Sequence, residues 1–144
     1  MKTFILFILA AGYTSAAFTQ NIAQADIPSL VLNGFQSKFS NARDAEWERK
    51  GALFKVEFEI DNRDHDLWLD EGGNIKMHKE ELAETDLPAA IKQKLKSDFK
   101  EYRVDDVDKI ETEGKVLFQV DLDGKSGDRE EWFSADGTIQ PPVN

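Results

Sequence analysis

The chain of 144 residues contains no cysteine. That absence removes disulfides, thiolate metal sites, thiol catalysis and a lipid-anchoring cysteine together. Histidine is nearly as scarce, with His65 and His78 as the two in the sequence. No Gly-rich phosphate loop, G-x-S-x-G or H-E-x-x-H motif occurs. Positive charge is in deficit: 18 Lys and Arg stand against 28 Asp and Glu, for a net charge of −10. No basic stripe breaks the acidity, so no nucleic-acid partner is expected, because phosphate binding needs clustered Lys and Arg. Long apolar runs are missing too. The run from Phe4 to Ala11 is far shorter than the about 20 residues that cross a bilayer.

That short run has a different use. In "MKTFILFILAAGYTSAAFTQ" one Lys precedes the apolar stretch and small residues follow it, which is the order of a secretory signal peptide. Residues 1–19 are therefore expected to be a signal. Cleavage is expected somewhere from 16 to 25, with Ala16 to Thr19 preferred. The mature protein is then periplasmic or secreted, without membrane insertion. An exported domain lacking disulfides fits a bacterial periplasm better than a eukaryotic extracellular space.

What the chain does have is a core and a repeat. Its hydrophobic content of 40%, with three Trp and ten Phe, argues against disorder. Shifted by sixty, "DIPSLVLNGFQSKF" (26–39) lies over "DLPAAIKQKLKSDF" (86–99). Val31, Phe35 and Phe39 match Ile91, Leu95 and Phe99 and make one helical stripe. Asp26 and Asp86 are candidate N-caps, with Pro28 and Pro88 in the first turn. Gly34 weakens the first helix and suggests a close approach. "ALFKVEFEI" and "KVLFQVDL" then alternate with period two and align at a shift of sixty-four, so the second copy has four extra residues. "AEWERK" and "VDKIET" precede them as candidate strands. "RDHDLWLD" and "DREEWFS" follow, with Gly- and Asp-rich turns after them. "IKMHKEE" is a fourth strand in copy one, whereas its counterpart stops at Pro141 and Pro142. The expected fold is α+β: two tandem helix-plus-antiparallel-strand repeats, 26–82 and 86–140, forming one sheet with the helices on one face. The halves are expected to share one core, since each alone is small.

The duplicated order "DxPxx(V/I)xxx(F/L)xxxF", alternating strands, then "W(L/F)xxxGxI" resembles the PepSY-like family over residues 26–140. Its members are exported bacterial proteins likened to the beta-lactamase-inhibitor protein fold. The resemblance implies a non-enzymatic module; related PepSY domains in protease propeptides are thought to inhibit. The chain departs from the pattern at Gly72–Gly73, where the second copy has Asp136–Gly137, and in its poor last strand. No family binding residue is carried over.

The residues themselves point to a surface rather than to a reaction centre. His65 falls opposite Glu80, and Leu67 opposite His78, if Gly72–Gly73 is the turn. A His–carboxylate zinc pair is conceivable, but two surface histidines on a polar strand pair is the expected reading. "DNRDHD" and "DLDGKSGD" are acidic turns; calcium or zinc bound there is the alternative function, set against ordinary turn chemistry. The tryptophans carry the leading one. If Leu69 and Phe133 face the helices, Trp68 and Trp132 lie on the open sheet face with Lys55, Glu57, Glu59, Gln119 and Asp121. Exposed there, they would be binding anchors for an unknown protein or envelope polymer. The opposite register would put both in the core. No enzyme activity and no cofactor are expected.

Overall fold

The computed structural model describes residues 20–143; the expected signal, 1–19, lies outside them. The chain runs through β1 (Gln20–Ile22), α1 (Ser29–Lys38), β2 (Arg43–Lys50), β3 (Leu53–Ile60), β4 (Arg63–Leu69), β5 (Ile75–Glu81), α2 (Ala89–Asp98), β6 (Tyr102–Thr112), β7 (Lys115–Gly124), β8 (Arg129–Ser134) and β9 (Ile139–Gln140). The strands form one antiparallel sheet in sequence order, β1 to β9. Both helices pack on the same face, because Phe54, Val56, Phe58, Leu67 and Leu69 cluster with α1 while Val107, Phe118, Val120 and Phe133 cluster with α2. The expected α+β fold with helices on one face is what the chain forms.

The helices start one step later than the sequence suggests. Pro28 and Pro88 are the N-cap residues themselves, without a side-chain cap, and Asp26 and Asp86 end short 3-10 turns before them. Ile27 and Leu87, extended and buried, fix the entry of each helix. Asp86 instead accepts a bond from Arg63 at 2.7 Å. Each stripe is buried as the periodicity requires: Val31, Phe35 and Phe39 in α1 and after it, Ile91, Leu95 and Phe99 in the second copy.

The repeated Gly in "W(L/F)xxxGxI" has a steric cause. Gly73 and Gly137 both adopt positive φ, +80° and +84°, at the turns after β4 and β8. Each turn rests on the first turn of its helix. A Cβ at 73 would lie 2.2 Å from the Leu30 carbonyl oxygen, and one at 137 would lie 3.0 Å from that of Ala90. Leu30 and Ala90 are related by the same shift of sixty. Gly34 joins the first contact, since a Cβ there would meet the Gly73 oxygen at 2.2 Å. Asn74 donates from its backbone and side chain to Asp70 and holds that carboxyl at about 2, which fixes the turn.

The four extra residues have a definite place. Lys50↔Leu53 closes the β2–β3 hairpin, and its equivalent Ile110↔Leu117 is followed by two further pairs, Glu111↔Val116 and Thr112↔Lys115. Those added residues pair with β5, as His78↔Glu111 and Met77↔Thr112. The insertion thus lengthens the ladder that joins the two halves. The halves do not share one core, contrary to the expectation. Two apolar clusters form, one under each helix. The inward positions of β5 and β6 between them are His78, Glu80, Lys109 and Glu111, so polar side chains fill the seam and the continuous sheet holds the halves together.

Candidate functional site

The two faces of the sheet differ in cover. The helix face is closed over each half, whereas the open face carries a separate apolar cluster. Ile110, Leu117 and Trp132 form its buried part, with Met77 and Val143 packed against them. Among the described residues no helix contributes to this cluster. Period-two alternation on β4 to β8 creates it: Trp68↔Met77, Ile110↔Leu117 and Gln119↔Trp132 are same-face neighbours in successive ladders.

Trp68, Trp132, Lys55, Glu57, Glu59, Gln119 and Asp121, the residues of the expected binding surface, lie on this face. Leu69 and Phe133 are fully buried toward the helices, which turns Trp68 and Trp132 outward. Lys55 pairs with Trp68 across β3–β4, Glu57 with Asp66, and Glu59 with Asp64. Gln119 pairs with Trp132, and Asp121 with Glu130. The exposure of the two tryptophans is not equal, and this corrects the picture of exposed twins. Trp68 is half-buried, with the Lys55 ammonium 5.4 Å from its ring centroid. Trp132 is 7% exposed. Its neighbours Ile110 and Leu117 supply an apolar bed, and its indole N–H donates to Glu130 at 2.6 Å. Alternation gives the face of a side chain but not what its neighbours cover.

Charge surrounds the apolar patch. Lys55 is bonded to Glu57 and lies 3.3 Å from Asp66. Burial works against its ammonium, yet these two carboxylates outweigh burial and raise its pKa. Lys79 reaches Asp108, buried on the open face, at 2.7 Å. Glu59 accepts a bond from Arg43 at 2.7 Å, and its counterpart Asp123 one from Arg103 at 2.6 Å.

The histidines are not on the surface, as the sequence reading had them. The expected register holds, with Leu67↔His78 and His65↔Glu80, but both imidazoles point inward and are 7% and 8% exposed. They lie parallel, with His65 Nδ1 and His78 Nε2 3.0 Å apart. Phe58 stacks on His65 and Phe39 packs on His78. The signal missed was the alternation with Leu67: His65 shares its face, and His78 faces it across the ladder. Among the described residues no group of three or more His, Asp or Glu is placed to hold a metal ion.

Burial lowers the pKa of both histidines. The carboxylate of Glu80 opposes it at both and that of Glu111 at His78, while Arg63 adds to it at His65 and His65 adds to it at His78. Their folded values therefore lie below the unfolded value of about 6.5. The unfolded chain takes up protons first, so stability is full above that pH and falls as pH drops below it. Each such histidine contributes a slope of up to about 1.4 kcal/mol per pH unit. Urea midpoints measured from pH 7.5 to pH 5 should fall, and the double change His65→Gln, His78→Gln should flatten the curve. An equally steep fall in the double variant would contradict this assignment.

A family model described as beta-lactamase-inhibitor-like, PepSY-like matches the chain twice, over residues 16–77 and 62–140. No curated protein matches. Among solved structures, a BLIP-like protein from Bacteroides fragilis is 25% identical, with a TM-score of 0.68 over 78% of this chain and 82% of the other. A DUF2874 family protein from Bacteroides uniformis has a TM-score of 0.72 at 14% identity, over 78% and 85% of the two chains. A protein from Bacteroides eggerthii, of suggested periplasmic location, has a TM-score of 0.72 at 18% identity, over 79% and 86%.

Proposed function

The chain belongs to the PepSY-like family, and from that premise we propose that it is an exported, non-enzymatic binding module whose working surface is the open face of the sheet. One observation carries the reading: on a face that no helix covers among the described residues, the half-buried side chains of Trp68, Met77 and Val143 lie over and beside buried Ile110, Leu117 and Trp132, with carboxylates around them. An apolar centre with a polar rim is the anatomy of a protein-binding patch. No described helix is long and apolar enough to cross a membrane, and the N-terminal signal pattern supports export to the periplasm or the exterior. Cleavage between Ala16 and Thr19 leaves β1, the edge strand on β2, in the mature protein.

Affinity capture from the cell envelope of the source bacterium tests the reading. Trp68→Ala should weaken retention of a captured partner by about 2 kcal/mol or more while the thermal melt stays cooperative. Leu30→Asp, on helix α1 and 60% exposed, should retain it. Equal retention by wild type and Trp68→Ala, with loss in Leu30→Asp, would move the binding surface to the helix side.

A further inference from the structure

The two halves of the open face are equivalent in register, so each shows what the other lacks. In the first half Glu46, Glu57 and Asp66 stand directly opposite one another on β2, β3 and β4. In the second, Asp106, Asp121 and Glu130 occupy the same row of β6, β7 and β8. Like charges directly opposite across a ladder repel and destabilise the pairing. The first half relieves this with its own Lys55, which bonds Glu57, approaches Asp66 and lies over Trp68. The Lys55 side chain is 13% exposed, so it is seated in the row rather than waving above it.

The second half has Gln119 where the first has Lys55. The Gln119 amide donates to Glu130 at 2.9 Å and reaches Asp121 only at 3.4 Å. The Trp132 indole gives Glu130 a second neutral bond. Lys79 acts on Asp106 through space but is bonded to Asp108, while Arg103 pairs with Asp105 and Asp123 and Arg129 with Glu131. Among the described residues no Lys or Arg forms an ion pair with Asp106, Asp121 or Glu130. A depression opens beside the row, where Asp105, Asp121, Asp123, Asp128 and Glu130 outnumber Arg129, and the equivalent one in the first half is lined by Glu57, Glu59, Asp64 and Asp66 among others.

We propose that the Asp106–Asp121–Glu130 row is the docking point on the open face for a cationic side chain, Lys or Arg, of a protein partner, entering where Lys55 lies in the first half. The partner segment is basic and runs across the open face, with its apolar neighbours on half-buried Trp68, Met77 and Val143, the accessible side chains over and beside the buried Ile110, Leu117 and Trp132. The charge of the row, the apolar bed beside it and the ammonium already seated in the sister row agree on that chemistry. The proposal rests on the open face being the working surface.

Titration of the mature protein with hexalysine at low ionic strength, followed by calorimetry, tests it. Low salt is needed because exposed charges are screened beyond about 10 Å at 0.1 M. One site is expected. Gln119→Lys supplies the missing ammonium from within and should weaken binding by about tenfold or more. Gln93→Lys makes the same charge change on an exposed position of α2 and should leave binding within about twofold. Lys55→Gln should create a second site. The proposal is overturned if hexalysine does not bind, if the two lysine variants weaken binding equally, or if calcium binds at the row and hexalysine does not displace it. A failure here with the Trp68→Ala capture result intact removes the basic partner alone; a failure of both removes the open face as well.

Discussion

Phe39→Ala and Phe99→Ala each lower the free energy of unfolding by about 3–5 kcal/mol. Both rings follow the last helical residue, as C-caps of α1 and α2, and both are at most 9% exposed. Phe39 has ring contacts with Phe35 at 6.1 Å, Phe58 at 4.9 Å and His78 at 5.0 Å. Phe99 packs against Phe133 at 6.2 Å and Tyr102 at 6.3 Å. Truncation leaves a cavity between helix and sheet that neither rigid layer can close. A loss of this size is a large part of the about 5–15 kcal/mol that holds a domain together. Because the apolar clusters are separate, the two losses should be nearly additive if the double variant still folds. Urea midpoints read this directly. An unmoved midpoint in either variant would show that the ring is not packed as described.

Gly73→Ala lowers stability by about 2–4 kcal/mol, through two effects that add. The positive φ of +80° disfavours any Cβ, and the Cβ would meet the Leu30 carbonyl oxygen at 2.2 Å. Backbone lies on both sides of this contact, so no flexible side chain can yield. Gly51→Ala separates the two effects. Gly51 has a φ of +61°, and nothing lies within 4 Å of a Cβ there, so about 1–2 kcal/mol is expected from the backbone alone. Equal costs at the two positions would mean that the turn does not press on α1.

The repeat was legible because packing imposes it twice. Val31, Phe35 and Phe39 recur as Ile91, Leu95 and Phe99, and Gly73 recurs as Gly137, because each hairpin turn needs the same close approach to its helix. The face of Trp68 and Trp132 was also legible, since alternation fixes it once Leu69 and Phe133 are inside. Burial on the open face was not. Trp132 is covered by Ile110 and Leu117, whose register depends on which residues of the longer hairpin pair. The histidines show the same limit. A polar residue on an inward position looks like surface in sequence, and the seam accommodates these two because His65 meets His78 and His78 Nδ1 also lies 3.5 Å from Glu111. The helix starts were misplaced because Asp26 and Asp86 cap nothing; the preceding 3-10 turns and Pro28 and Pro88 determine where the helices begin.

The claim that the open face is the working surface is tested most directly by a photo-crosslinking amino acid placed at position 77 or at position 30 of the exported protein in living cells. Met77 lies on the open face against Trp68 and the Ile110 cluster, and Leu30 lies on the opposite side in α1. The account predicts a discrete partner adduct from position 77 and none from position 30. Adducts from position 30 alone would contradict it.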